Sequence, residues 1–300
     1  MSISPPNITN PAPTMATSTP TPAPPSASAL TPAPVSSQDA QPTVRFTTAA
    51  ELFEQIDSVP GDILIVTNVS RQDFTAIEHE RETRRRKIRF RRYYASTQIL
   101  IVTIPTIIHE QLHRRLYEGL CFQVNSAGLW EDWSSLGGAT FREGRPSGNS
   151  GEGDSSGGPR SAGRGAWPTL VIEAGVSESL RQLQEDMRWW FAASNHDVKI
   201  VILAKSGRSQ NRIILQKWIE QQRQPRQGAT STRWASTLEP TLHQTITITG
   251  DSANPALYNV TRGALVLEFR LLFLRDPRQG EGDFVVDVPS LQRYAAAVWT

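Results

Sequence analysis

The stretch between residues 169 and 204 constrains this chain most. The apolar run 169–173 is followed by a segment, 178–194, that carries Leu180, Leu183, Met187, Trp190 and Phe191 at helical spacing, and then by a second apolar run, 198–204. Short runs without polar alternation read as strands buried on both faces. A strand, a helix and a strand with joints this short require a right-handed crossover and two parallel strands. The expected fold class is therefore α/β, or α+β, with helices packed on a sheet.

The rest of the chain adds elements around that unit. A capped short helix is expected over 49–56, a strand over 63–66, a polar helix over 72–86 and a hairpin of strands at 88–94 and 98–104. Pro105 then opens a helix over 107–120, with Ile108, Leu112, Leu116 and Leu120 on one face. Short strands are expected within 121–133 and 139–142, and further strands at 244–249, 264–274 and 284–288. Residues 1–43 are mostly Pro, Ser, Thr and Ala, which bury too little apolar area to offset ordering entropy; they read as a disordered tail before one domain, 44–300. Gly, Ser and Arg at about 144–166, and Arg and Gln at about 221–236, read as long flexible loops.

Composition excludes several classes. Cys121 is the only cysteine, so no disulfide scaffold forms within the chain. The longest apolar runs, around 99–108 and 265–274, are too short or too interrupted to span a bilayer, and no basic flank precedes an apolar leader; an intracellular protein with no membrane contact is expected. With 31 basic and 29 acidic side chains, any nucleic-acid partner must be held by a local patch.

Three constellations carry chemistry. His109, Glu110 and His113 form an HExxH on the helix, which sets two imidazoles one turn apart for zinc and the Glu as general base of a metallopeptidase. The extended pattern that would supply a third ligand fails at Leu116 and Gly119, Glu131 or Asp132 are only distant candidates, and an ordinary amphipathic helix is the alternative. The glycines and serines of 153–159 imitate a serine-protease nucleophile loop, with one Ser too many and no supporting disulfides. Finally, Glu173 ends an apolar strand, where a lone carboxylate costs several kcal/mol. Either a divalent cation shared with Asp154 or a salt bridge to one of the arginines would compensate it. Upstream, Arg84, Arg85, Arg86, Arg89, Arg91 and Arg92 are interleaved with Phe90, Tyr93 and Tyr94, as a nucleic-acid-binding strand or a solvated basic face would be.

The run 152–156, the run 167–175, then 177–180 and Arg188, Trp189 and Trp190 resemble fungal proteins related to the restriction-endonuclease-like family of the PD-(D/E)XK nuclease superfamily. The likeness covers roughly residues 85–220. It implies a central mixed sheet flanked by helices, with extra C-terminal strands. It also implies Mg²⁺ held by Asp154 and Glu173 for phosphodiester hydrolysis. Gly175 stands where the family's lysine belongs, so Lys199 or Lys205, with Arg188 from the helix, would have to supply the cation. The resemblance equally accommodates a decayed, non-catalytic domain that binds nucleic acid or protein.

Overall fold

Two mixed sheets are joined by one long hairpin, and the joint is where the chemistry collects. The computed structural model describes Met1 and residues 41–85, 87–144, 147–207, 211–222, 238–250 and 257–299. The expected tail up to residue 40 and most of the loop at 221–236 lie outside these.

The first sheet contains β1 (Thr43–Arg45), β2 (Ile63–Thr67), β3 (Arg89–Tyr94), β4 (Ile99–Thr103), β6 (Thr140–Arg142) and β7 (Ser150–Glu152), in the order β1-β2-β4-β3-β7-β6. Helices α1 (Ala49–Ser58) and α2 (Arg71–Arg84) cover it, burying Leu52, Phe53, Phe74 and Ile77. Both start on side-chain caps, Thr48 and Ser70, whose oxygens satisfy free N–H groups of the first turn.

The second sheet runs β13-β12-β11-β10-β9-β8-β5. Its strands are β5 (Trp133–Ser135), β8 (Ser155–Pro159), β9 (Leu170–Gly175), β10 (Ile200–Gly207), β11 (Arg212–Gln222), β12 (Leu238–Gly250) and β13 (Tyr258–Thr261). Strands β9 and β10 are parallel, in register from Leu170 opposite Ile200, and the other neighbours are antiparallel. The crossover helix α4 (Leu180–Ala193) buries Leu183, Met187, Trp190 and Phe191 with Val171, Val201 and Leu203. On the other face, α3 (Ile107–Ser126) lays Leu112, Leu116, Leu120 and Val124 against Leu170, Ile172 and Ile202. Helices on both faces explain why β9 and β10 carry no polar alternation.

Several sequence expectations are corrected. The helix does not stop at residue 120: Val124 continues the four-residue apolar row, so 121–126 stay helical where a strand was expected. The supposed loop at 144–166 contains β7, β8 and a 3₁₀ turn at Arg160–Ala162. Its glycines serve close packing: a Cβ on Gly157 would lie 2.3 Å from the Tyr117 hydroxyl and 2.7 Å from the Trp133 ring. The strand expected over 264–274 is a short β14 (Leu265–Leu267) and helix α5 (Phe269–Phe273), and β14 pairs with β15 (Phe284–Val286) before helix α6 (Val288–Trp299). No helix among the described residues is long and apolar enough to cross a membrane.

Residues 133–142 and 150–159 are the two arms of the joining hairpin. Ser135 pairs with Gly157 in the second sheet, Thr140 pairs with Glu152 in the first, and Leu136 N–H donates to Ser156 O at 2.9 Å between them. Gly153 and Asp154 are thus the residues at which the chain passes from one sheet to the other.

Candidate metal centre

Asp154, left between β7 and β8, turns its carboxylate toward α3. Oδ2 accepts from Ala174 N–H at 2.8 Å and lies 3.3 Å from His109 Nε2, and Oδ1 is 3.7 Å from Arg89 Nη1. His113, one turn along α3, has Nδ1 2.8 Å from Ser155 Oγ and Nε2 3.3 Å from Glu110 Oε1. One ligand atom each from His109, His113 and Asp154 fall within 4.8 Å of one another, and all three side chains are buried. Neither nitrogen of His109 makes a well-formed hydrogen bond; their charged neighbours are Asp154 Oδ2, 3.3 Å from Nε2, and Glu110 Oε1, 4.0 Å from Nδ1. A buried imidazole beside a buried carboxylate is stabilised either by a proton, as an ion pair, or by a cation that both groups ligate.

Helix geometry explains the arrangement. Thr106 caps α3 through His109 N–H, which fixes the first turn, and i, i+4 spacing puts the two imidazoles on one face with rings 5.5 Å apart. Ser155 holds Nδ1 of His113 and Glu110 meets Nε2, so a cation bound through Nε2 would have to displace Glu110, while Ser155 would stay as the group that orients the ring. Burial disfavours charge on His109, yet the Asp154 carboxylate outweighs it and the pKa rises. Burial lowers that of His113. Burial opposes the charge on Glu110, but His113 and Arg89 outweigh it and take the pKa down to about 2. Arg89 and Glu110, bonded at 2.8 Å, lie over the cluster and line a cleft of about 510 Å³ with Arg81, Lys87, Arg114 and Glu152.

Glu173 lies on β9, beside β8, but meets other partners. Its Oε1 accepts from Trp190 Nε1 at 2.5 Å and lies 3.2 Å from Arg92 Nη2, and Oε2 lies 3.7 Å from Arg91 Nη2. Of the two compensations open to a buried carboxylate, this chain uses arginine. The remaining expected residues are scattered. Lys199 stands opposite Thr169, about four residues or ~13 Å along β9 from Glu173, with Nζ on His196 O. Arg188 is exposed on α4. Lys205 binds the carbonyls of Val176 and Ser206.

The basic cluster also divides. Arg91 and Arg92 are 1% and 0% exposed, tied to Glu173, Glu178 and Asp186, so they cannot meet a phosphate backbone. This corrects the expected strand-wide basic face, and the physical reason is that both arginines fill the space between β3 and α4. Arg89 faces the cleft, Arg84 pairs with Glu80 at 2.7 Å, Arg85 is exposed, and Arg86 lies outside the described residues. Neither a protein-family model nor a curated protein matches this sequence.

Proposed function

We propose that the chain is a metal-dependent phosphodiester hydrolase of the restriction-endonuclease-like kind, with its cation held by His109, His113 and Asp154. The observation that carries this reading is the buried three-donor cluster, next to a cleft lined by four cations, Arg81, Lys87, Arg89 and Arg114, against two carboxylates, Glu110 and Glu152. The fold supports it: Asp154 stands immediately before β8 and Glu173 lies on its neighbour β9, in a mixed sheet with α3 and α4 on its faces.

Three protein ligands with a free position suit catalysis, and two imidazoles with one carboxylate favour zinc or manganese over the all-oxygen shell that Mg²⁺ prefers. Once bound, the cation would supply Lewis acidity and a water of lowered pKa. The chain's own groups do the rest. Arg89, between Asp154 and Glu110, is positioned for a phosphate oxygen, and Lys87 and Arg114 line the approach. Glu110 is anionic at neutral pH, with Oε1 engaged by Arg89 and His113; its low basicity would make it an orienting group for a water more than a strong base. Four basic side chains around the cleft favour an anionic substrate over a peptide, although the HExxH itself would serve either.

Metal analysis of the purified chain and cleavage of supercoiled plasmid and single-stranded DNA test the proposal. We expect about one zinc or manganese per chain, metal-dependent cleavage, and loss of both in His109→Ala and Asp154→Asn, with the metal retained in Glu173→Gln. Retention in His109→Ala, or loss only in Glu173→Gln, would sink it. Binding of nucleic acid without any cleavage would instead support the second reading, a non-catalytic domain, which the arginine neutralisation of Glu173 favours.

A further inference from the structure

A second cleft, of about 760 Å³, opens against the joining hairpin. Its wall carries Phe141 and Trp167, stacked with ring centroids 5.2 Å apart and 27° between planes. Arg142, Arg160 and Arg164 also line it, and no Asp or Glu is among the described residues that do. Arg142 is held by Glu78 at 2.8 Å, and Arg160 donates from Nε to Trp133 O and has Nη1 3.7 Å from the exposed Glu131, a pair that a phosphate would have to displace. Arg164 is exposed, on a loop shaped by Gly163 and Gly165, both at positive φ (92° and 79°) with open space where a Cβ would stand.

The two clefts adjoin. Gly138 lines the one over the metal cluster and Ala139 the other, a step of about 3.8 Å between Cα atoms. Thr140, in the wall of the second cleft, donates to Glu152 of the first at 2.7 Å. A ligand that reaches from one cleft to the other must therefore offer a planar apolar group to the aromatic wall and repeated negative charge to both basic rims.

We infer that the second cleft is a subsite for single-stranded nucleic acid, with a base against Trp167, which the buried Phe141 backs, phosphates on Arg160 and Arg164, and the strand continuing toward the cleft next to His109, His113 and Asp154. Bases of a duplex are stacked inside it and cannot reach an aromatic wall, whereas unpaired bases stack on such platforms whatever their sequence. An acidic peptide would satisfy the arginines but leave the aromatic pair unused. The inference names the substrate of the hydrolase proposed above and rests on that reading only for the direction of the strand; the subsite itself requires no metal.

The test is fluorescence anisotropy of a labelled oligothymidylate with the full chain in EDTA, so that failure of the metal centre leaves the measurement untouched. We expect salt-dependent binding, weakened about tenfold in Trp167→Ala. The slope of log affinity against log salt should fall by about 1.4 in Arg160→Ala/Arg164→Ala, about 0.7 for each lost contact to a single strand. Because Trp167 also touches Trp189 and Trp190, Arg164→Ala alone, at an exposed position, serves as the variant that leaves folding intact; it should lower the slope by half as much. Lack of oligothymidylate binding, equal affinity for a duplex of the same length, equal competition by polyglutamate, or unchanged binding and slope in Arg164→Ala would each overturn the inference.

Discussion

Arg91, Arg92, Glu173, Glu178 and Asp186 meet in the interior with one carboxylate more than there are guanidiniums. Truncating one partner of such a set leaves a buried charge uncompensated and costs about 3–5 kcal/mol. The excess charge is relieved by protons. Burial raises Glu173 to about 7 and Glu178 to about 8 against the pull of the arginines, from an ordinary value of 4.5. An acid raised on folding takes up a proton in the native state first, so its contribution to stability falls as pH rises from about 4.5 to 7–8. His109, raised above 6.5, acts in the same direction above that pH, whereas lowered His113 adds stability only as pH climbs toward 6.5. Asp154 and Glu110, both lowered, matter only in acid. The thermal midpoint is therefore expected to fall between pH 6.5 and 8.5, and Glu178→Gln, facing Arg91, Asp186 and Asp62, should flatten that fall. A midpoint that rises across this interval contradicts the assignment.

At the scale of elements, β8 and α3 make the same substitution act with opposite signs. In Gly157→Ala the new methyl meets Tyr117 and Trp133, so overpacking should cost about 1–3 kcal/mol in chemical denaturation. Gly119, exposed within α3 with nothing within 4 Å of its would-be Cβ, pays only the entropy of a helical glycine; Gly119→Ala should gain about 0.5–1 kcal/mol. The contrast also explains what could be read beforehand. The strand–helix–strand of β9, α4 and β10 was legible, because apolar runs and helical spacing report burial directly. β7 and β8 were not, since a glycine strand fitted under a tryptophan, a tyrosine and an arginine looks like a loop until those side chains are known; a glycine run beside a strand is the one local hint of close approach. β11 was missed because buried Lys217, bonded to Glu268 and the Val266 carbonyl, interrupts its apolar alternation. In the candidate site, helical spacing revealed His109 and His113 as a pair, whereas Asp154 was assigned to a different constellation, with Glu173. Only the passage of the hairpin between sheets joins them, and that is a long-range contact without a local signature.

Across the whole molecule, polar contacts cluster where the two sheets meet. Asp62, beside β2, accepts from the backbone of Val176 and Ser177 just beyond β9, and Arg91 and Arg92 of β3 reach Glu173, Glu178 and Asp186 across the same boundary. The candidate metal centre belongs to this seam: His109 and His113 come from the helix that leads from the first sheet to the second, and Asp154 from the point where the hairpin changes sheets. A cation bound there would tie together segments that unfolding separates, and a ligand that binds only the native state stabilises it by about 2.7 kcal/mol at a hundred times its dissociation constant. For a domain of this size each kcal/mol moves the midpoint by about 2–4 °C, so saturating zinc or manganese should raise it by roughly 5–10 °C. His109→Ala should abolish that shift, while the metal-free midpoint also falls, because the variant leaves a cavity and removes the partner of the buried Asp154 carboxylate. Equal shifts in wild type and variant would place the binding elsewhere, and a shift lost in Glu173→Gln but kept in His109→Ala would return the cation to the pair of Asp154, just before β8, and Glu173 on β9.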